Sequence, residues 1–179
     1  GDSQFLQLAH SQLQQANNFT DRLAALKVLT CYGEQRDWQQ PLDAFYADWG
    51  HEPLVFNQWL AVQAIMPDDA VIQRVRGLMS HPEFDVRNPN KVRSLVGAFS
   101  AQNPVNFHRE NGEGYQLLRE VITELNGLNP QMASRLLTPL TKWRYYQGRQ
   151  ELMKAELETL AAQPDLSPNV YEIVTKSLG

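Results

Sequence analysis

Four histidines, His10, His51, His81 and His108, and a lone cysteine, Cys31, are the side chains from which metal or nucleophile chemistry would have to be built. A zinc-peptidase helix places two histidines at i and i+4, so that both rings face one metal, with a glutamate between them as base. His51 and Glu52 begin such a pattern, but position 55 is Val and Pro53 breaks the helical geometry, so no metal site is expected in this chain. Cys31 stands among Leu29, Thr30 and Tyr32 in a helical pattern and reads as a small core residue, compatible with a reducing compartment. Gly112-Glu-Gly114 lacks the third glycine and preceding strand of a dinucleotide loop and reads as a turn before a helix containing Tyr115. Glu110 and Glu113 flank an Asn-Gly turn, where solvated charge is the ordinary explanation of a carboxylate pair. Arg144 and Arg149, with Tyr145 and Tyr146 between them, mix basic and aromatic residues as nucleic-acid surfaces do, yet a solvated helix end explains them as well. No self-contained catalytic constellation emerges.

A different pattern organises the second half of the chain. Three Asn-Pro pairs, at Asn88, Asn103 and Asn129, each join a residue that accepts hydrogen bonds from a helix's first amides to one that lacks the amide a first turn leaves free. Each pair predicts a helix start. Two of these helices carry polar groups beside their apolar stripes: Arg93 flanks Val92 and Leu95, while Gln131 and Arg135 precede Leu136. A guanidinium is a planar fork suited to a carboxylate, so Arg93 and Arg135 could hold an acid group; pairing with nearby Asp or Glu is the plain alternative. Gln131, second in its helix, could equally be a first-turn polar residue.

The elements that must position these residues are helical throughout. Apolar residues recur at helical spacing from Phe5, Leu6, Ala9 and Leu13 through Phe56, Trp59, Leu60 and Ile65 to Val170, Ile173, Val174 and Leu178. About ten helices of roughly 10–17 residues with short connections must stack in pairs to bury their faces, which predicts an all-α, right-handed α-solenoid of antiparallel helix pairs over residues 1–179. A compact irregular bundle is the alternative architecture. The second Asp of Asp68-Asp69 is expected to cap the helix that contains Val71 and Ile72. A net charge of −4 among 179 residues argues against a nucleic-acid partner. The absence of a long apolar run argues against a membrane one, and a cytoplasmic protein is expected. The chain opens Gly1-Asp2-Ser3 without an initiator Met and reads as a piece of a longer polypeptide.

The segments 88–99, 103–108, 112–115 and 129–136 together resemble the carboxy-terminal helical domain of bacterial aminopeptidase N, the zinc alanyl aminopeptidase family, and the likeness extends more weakly over nearly the whole chain. The resemblance implies a domain that packs over a catalytic domain of the same polypeptide and closes its active site into a chamber for short peptide substrates. It implies zinc in the full-length enzyme and none here, so that this chain alone is inactive. It also places Gln131 at a pocket for the substrate's amino-terminal side chain, and Arg93 and Arg135 facing the chamber, available to the peptide's carboxylate end. A free-standing helical-repeat scaffold that binds a protein partner is the competing expectation.

Overall fold

The computed structural model describes residues 3–179, and all regular structure in it is helical. Gly1 and Asp2, on which the expectation of a cut chain rests, lie outside the described residues.

Five helices make the first half: α1 (Ser3–Gln15), α2 (Phe19–Tyr32), α3 (Gln35–Trp49), α4 (Pro53–Ala64) and α5 (Val71–Met79). Asn18 opens α2 by accepting the Asp21 amide at 2.9 Å. The most apolar of the five, α4, buries Phe56, Trp59, Leu60, Val62 and Ala64 and packs against α2, α3 and α5. The Trp59 indole donates to the Leu42 carbonyl at 3.3 Å, which satisfies its one polar atom inside the core.

The second half comprises α6 (Pro89–Val92), a π-helical turn (Arg93–Gly97), α7 (Ala98–Gln102), α8 (Pro104–Phe107), α9 (Glu113–Leu128), α10 (Pro130–Leu136), α11 (Thr138–Thr141), a 3₁₀ turn (Trp143–Tyr145), α12 (Gln150–Ala161) and α13 (Pro168–Leu178). Here α9 packs on α10 and α12, and both of those pack on α13. Contacts of α4 with the π turn and of α5 with α9 join the halves around one continuous core. The result is an all-α stack of successive helix pairs.

All three Asn-Pro pairs open helices. Asn88 accepts the Asn90 amide at 3.0 Å, Asn103 the Asn106 amide at 3.3 Å and Asn129 the Met132 amide at 3.0 Å, with proline in the first turn each time. Asn103 is also buried, and its amide donates to the carbonyls of Ala64 at 3.0 Å and Met66 at 2.8 Å, tying the end of α4 to the start of α8.

Three expectations need correction. Several helices are much shorter than ten residues: α10 ends before Pro139, which has no amide to give the Arg135 carbonyl and whose ring would strike that turn. The helical spacing of Met132, Leu136, Leu137, Leu140 and Trp143 predicts one stripe, but Trp143 lies in a separate 3₁₀ turn. At the start of α5 it is the Asp68 carboxylate that accepts the Ala70 amide, at 2.9 Å, whereas Asp69 pairs with Arg109.

Gly112 holds a left-handed conformation, φ 73°, at the start of α9, which glycine adopts without steric cost. A Cβ at Gly114 would lie 2.5 Å from the Phe107 carbonyl oxygen, so glycine there lets α9 rest against the backbone of α8. Among the described residues no helix is long and apolar enough to cross a membrane.

Candidate functional site

The π turn, the short helices after it and the break at Pro139 enclose a cavity of about 460 Å³. Arg93 enters it from the first residue of the π turn, Arg135 from the last turn of α10 and Lys142 from the link between α11 and the 3₁₀ turn. A π turn inserts one extra residue into a helix and so re-aims the side chains on either side of it. Its last residue, Gly97, also lines the cavity and leaves room beside the aliphatic stem of Arg93. Ala98, Met132, Leu136 and Pro139 supply apolar wall, and no Asp or Glu is among the lining residues.

Nearly every other basic side chain is engaged elsewhere. Arg74 pairs with Asp68 at 2.8 Å, Arg76 with Glu120 at 2.6 Å, Arg109 with Asp69 at 2.9 Å and Arg119 with Glu156 at 2.5 Å. Arg144 lies over the Trp143 ring and donates to the carbonyls of Ser177 and Leu178 at the end of α13, and Arg149 holds the His108 carbonyl and Glu110. These contacts account structurally for the basic and aromatic residues near Tyr145. Glu110 is likewise occupied by Arg149. Among the described residues Lys27, Arg93, Arg135 and Lys142 alone have neither a hydrogen bond nor an ion pair from the side chain, and the last three share the cavity. Among the described residues, the pairing of Arg93 and Arg135 with surface carboxylates, the plain alternative, does not occur.

His108 lines the same cavity. Its Nδ1 lies 2.8 Å from the Tyr115 hydroxyl, and its ring stacks on Tyr146 with centroids 3.9 Å apart. Burial pushes the Tyr115 phenol up to about 12, so that hydroxyl keeps its proton. Burial, and then the Arg149 guanidinium, hold His108 below the usual imidazole value, which favours the neutral ring; when Tyr115 donates to Nδ1, the ring proton sits on Nε2.

Gln131 stands one turn before Arg135 on α10, exposed and outside the lining residues. Arg93 and Arg135 are thus brought together and Gln131 is not brought into the same hollow. Arg93 also borders a second depression of about 540 Å³, with Phe19, Leu54 and Asn57. Cys31 is half-buried, at the margin of the core instead of inside it, and burial raises its thiol above the usual value. The cavity residues that sequence reasoning passed over are Lys142 and His108. Lys142 lies beyond the helix break at Pro139, so helical spacing from Arg135 gave no signal for it.

A family model described as "Domain of unknown function (DUF3458_C) ARM repeats" matches residues 1–179. The chain belongs to that ARM-repeat family. The domain is 44% identical over 173 residues to aminopeptidase N of Escherichia coli (strain K12), a match that covers 96% of this chain and 20% of the relative. Aminopeptidase N of Caulobacter vibrioides is 39% identical over 165 residues, covering 92% and 19%. Among solved structures, aminopeptidase A of Legionella pneumophila, in complex with aspartic acid, superposes with a TM-score of 0.89 at 33% identity, covering 97% of this chain and 20% of that one. The ARM-repeat domain therefore spans about a fifth of the length of these relatives and is homologous to the carboxy-terminal helical domain of aminopeptidase N.

Proposed function

We propose that this ARM-repeat domain works as the carboxy-terminal wall of a zinc aminopeptidase, closing the chamber in which a catalytic domain of the same polypeptide removes single amino-terminal residues from short peptides. The observation that carries this reading is the cavity in which Arg93, Arg135 and Lys142 converge without a carboxylate to neutralise them. Unpaired cations around one half-open hollow attract an anion together, because their like charges sum to a positive potential there. The carboxylate end of a peptide supplies that anion. Arg93 and Arg135 offer it forked donors, and Gln131, one turn from Arg135 on the same helix, lies toward the substrate's amino-terminal side chain.

Among the described residues there is no group of three or more His, Cys, Asp or Glu able to hold a metal ion. The zinc in this reading belongs to the catalytic domain, and the residues of this chain bind and orient substrate.

Arg135→Ala in the complete enzyme tests the assignment. KM for short peptides with a free carboxylate is expected to rise roughly tenfold, the worth of a charge-assisted hydrogen bond, while KM for an alanyl arylamide, which has no carboxylate, changes far less. Equal effects on both substrates would contradict the role given to Arg135.

A further inference from the structure

The cavity carries more positive charge than one peptide terminus neutralises. A single α-carboxylate satisfies one unit of charge, yet three cations line the hollow with no acidic residue among them. They also differ in kind. Arg93 and Arg135 present planar forks matched to a carboxylate, whereas Lys142 is a compact point charge on a flexible stem. His108 adds an imidazole that meets Tyr115 through Nδ1 and stacks on Tyr146, which leaves Nε2 as the nitrogen free to donate when Tyr115 gives its proton to Nδ1. A volume of about 460 Å³ falls within the range of small-molecule sites, so it holds a terminal side chain as well as a carboxylate.

We propose that Lys142 and His108 form a second anionic subsite, so that the enzyme containing this domain selects short peptides whose carboxy-terminal residue is itself acidic. The inference rests on the reading above, in which the peptide's acid end reaches Arg93 and Arg135. The α-carboxylate occupies the arginine forks, and the side-chain carboxylate of a terminal Glu or Asp takes the lysine charge and the imidazole N–H. A basic terminal residue meets only like charge and donors there, which disfavours it. Lys142 and His108 are specificity-determining residues in this scheme and take no part in bond cleavage.

The test compares Ala-Ala-Ala-Glu, Ala-Ala-Ala-Gln and Ala-Ala-Ala-Lys, all with free α-carboxylates, on the complete enzyme. KM is expected to be roughly three- to tenfold lower for the Glu peptide than for the Gln peptide and highest for the Lys peptide. Lys142→Gln brings the Glu and Gln values to within about twofold of each other, Lys142→Arg restores the preference, and thermal melting verifies that both variants fold. Equal KM for the Glu and Gln peptides in the unmodified enzyme, or a preference that survives Lys142→Gln, overturns the subsite. The carboxamide of the Gln peptide separates the two levels. If acid and amide bind alike, the underlying reading fails; if the acid is favoured while Glu and Gln remain equal, only the second subsite fails.

Discussion

Asn103 shows how one side chain can fix both a helix start and a junction between halves. Its oxygen accepts the Asn106 amide while its NH₂ group satisfies two buried carbonyls at the end of α4. Replacement by Ala removes the cap, leaves the Ala64 carbonyl without its side-chain donor and leaves Met66 only the longer 3.4 Å bond from the Asn106 amide, so Asn103→Ala is expected to cost about 2–3 kcal/mol in chemical denaturation. A cost below about 1 kcal/mol would show that water replaces the amide. His108 makes a second prediction. Its pKa in the folded protein lies below the usual 6.5, through burial and the neighbouring Arg149, with Tyr115 and Tyr146 the other titratable groups against its ring. Just below pH 6.5 the unfolded chain binds a proton at this position that the folded chain refuses, so the His108 contribution makes stability rise with pH across that window and fall as acid is added. His108→Gln is expected to flatten the slope of the urea midpoint just below pH 6.5. An unchanged slope would place the acid sensitivity elsewhere.

Elements divide into those written locally in the sequence and those set by their neighbours. The Asn-Pro starts were legible because capping is a contact between residues two or three positions apart. The π turn was not, since an extra residue per turn is invisible to a helical hydrophobic pattern and depends on how Leu95 and Val96 seat against α4. The short α10 should have been legible, because Pro139 denies an amide to the Arg135 carbonyl. Missing that break also hid Lys142, whose approach to the cavity depends on where the chain turns after Leu136. Arg93 and Arg135 were picked out by their places beside apolar stripes together with the family likeness; their shared hollow could not be read from spacing, because 42 positions separate them. At the contact between α8 and α9, Gly114 lies directly against the Phe107 backbone. Gly114→Ala would drive a methyl group into the Phe107 backbone and is expected to destabilise the domain by about 1–3 kcal/mol, measured by denaturant midpoint at constant slope. An unchanged midpoint would mean that α9 shifts freely on α8.

At the scale of the molecule, a domain with a net charge of −4 brings three of the four uncommitted cations among its described residues into one hollow while most of the others are tied into ion pairs or helix ends. That distribution suits a wall that meets the acid end of a small substrate better than a surface that tracks a polyanion, for which many uncommitted basic residues would be spread along one face. The exposed apolar side chains Phe5, Leu8 and Leu54 leave further surface on the first half that the described residues do not cover. The most direct measurement is KM of the complete enzyme for Ala-Ala-Ala-Ala and for its carboxamide, in the unmodified protein and in the Arg93→Ala, Arg135→Ala double variant. A lower KM for the free acid, with the difference lost in the double variant, is the predicted result; identical values for acid and amide in the unmodified enzyme would contradict it.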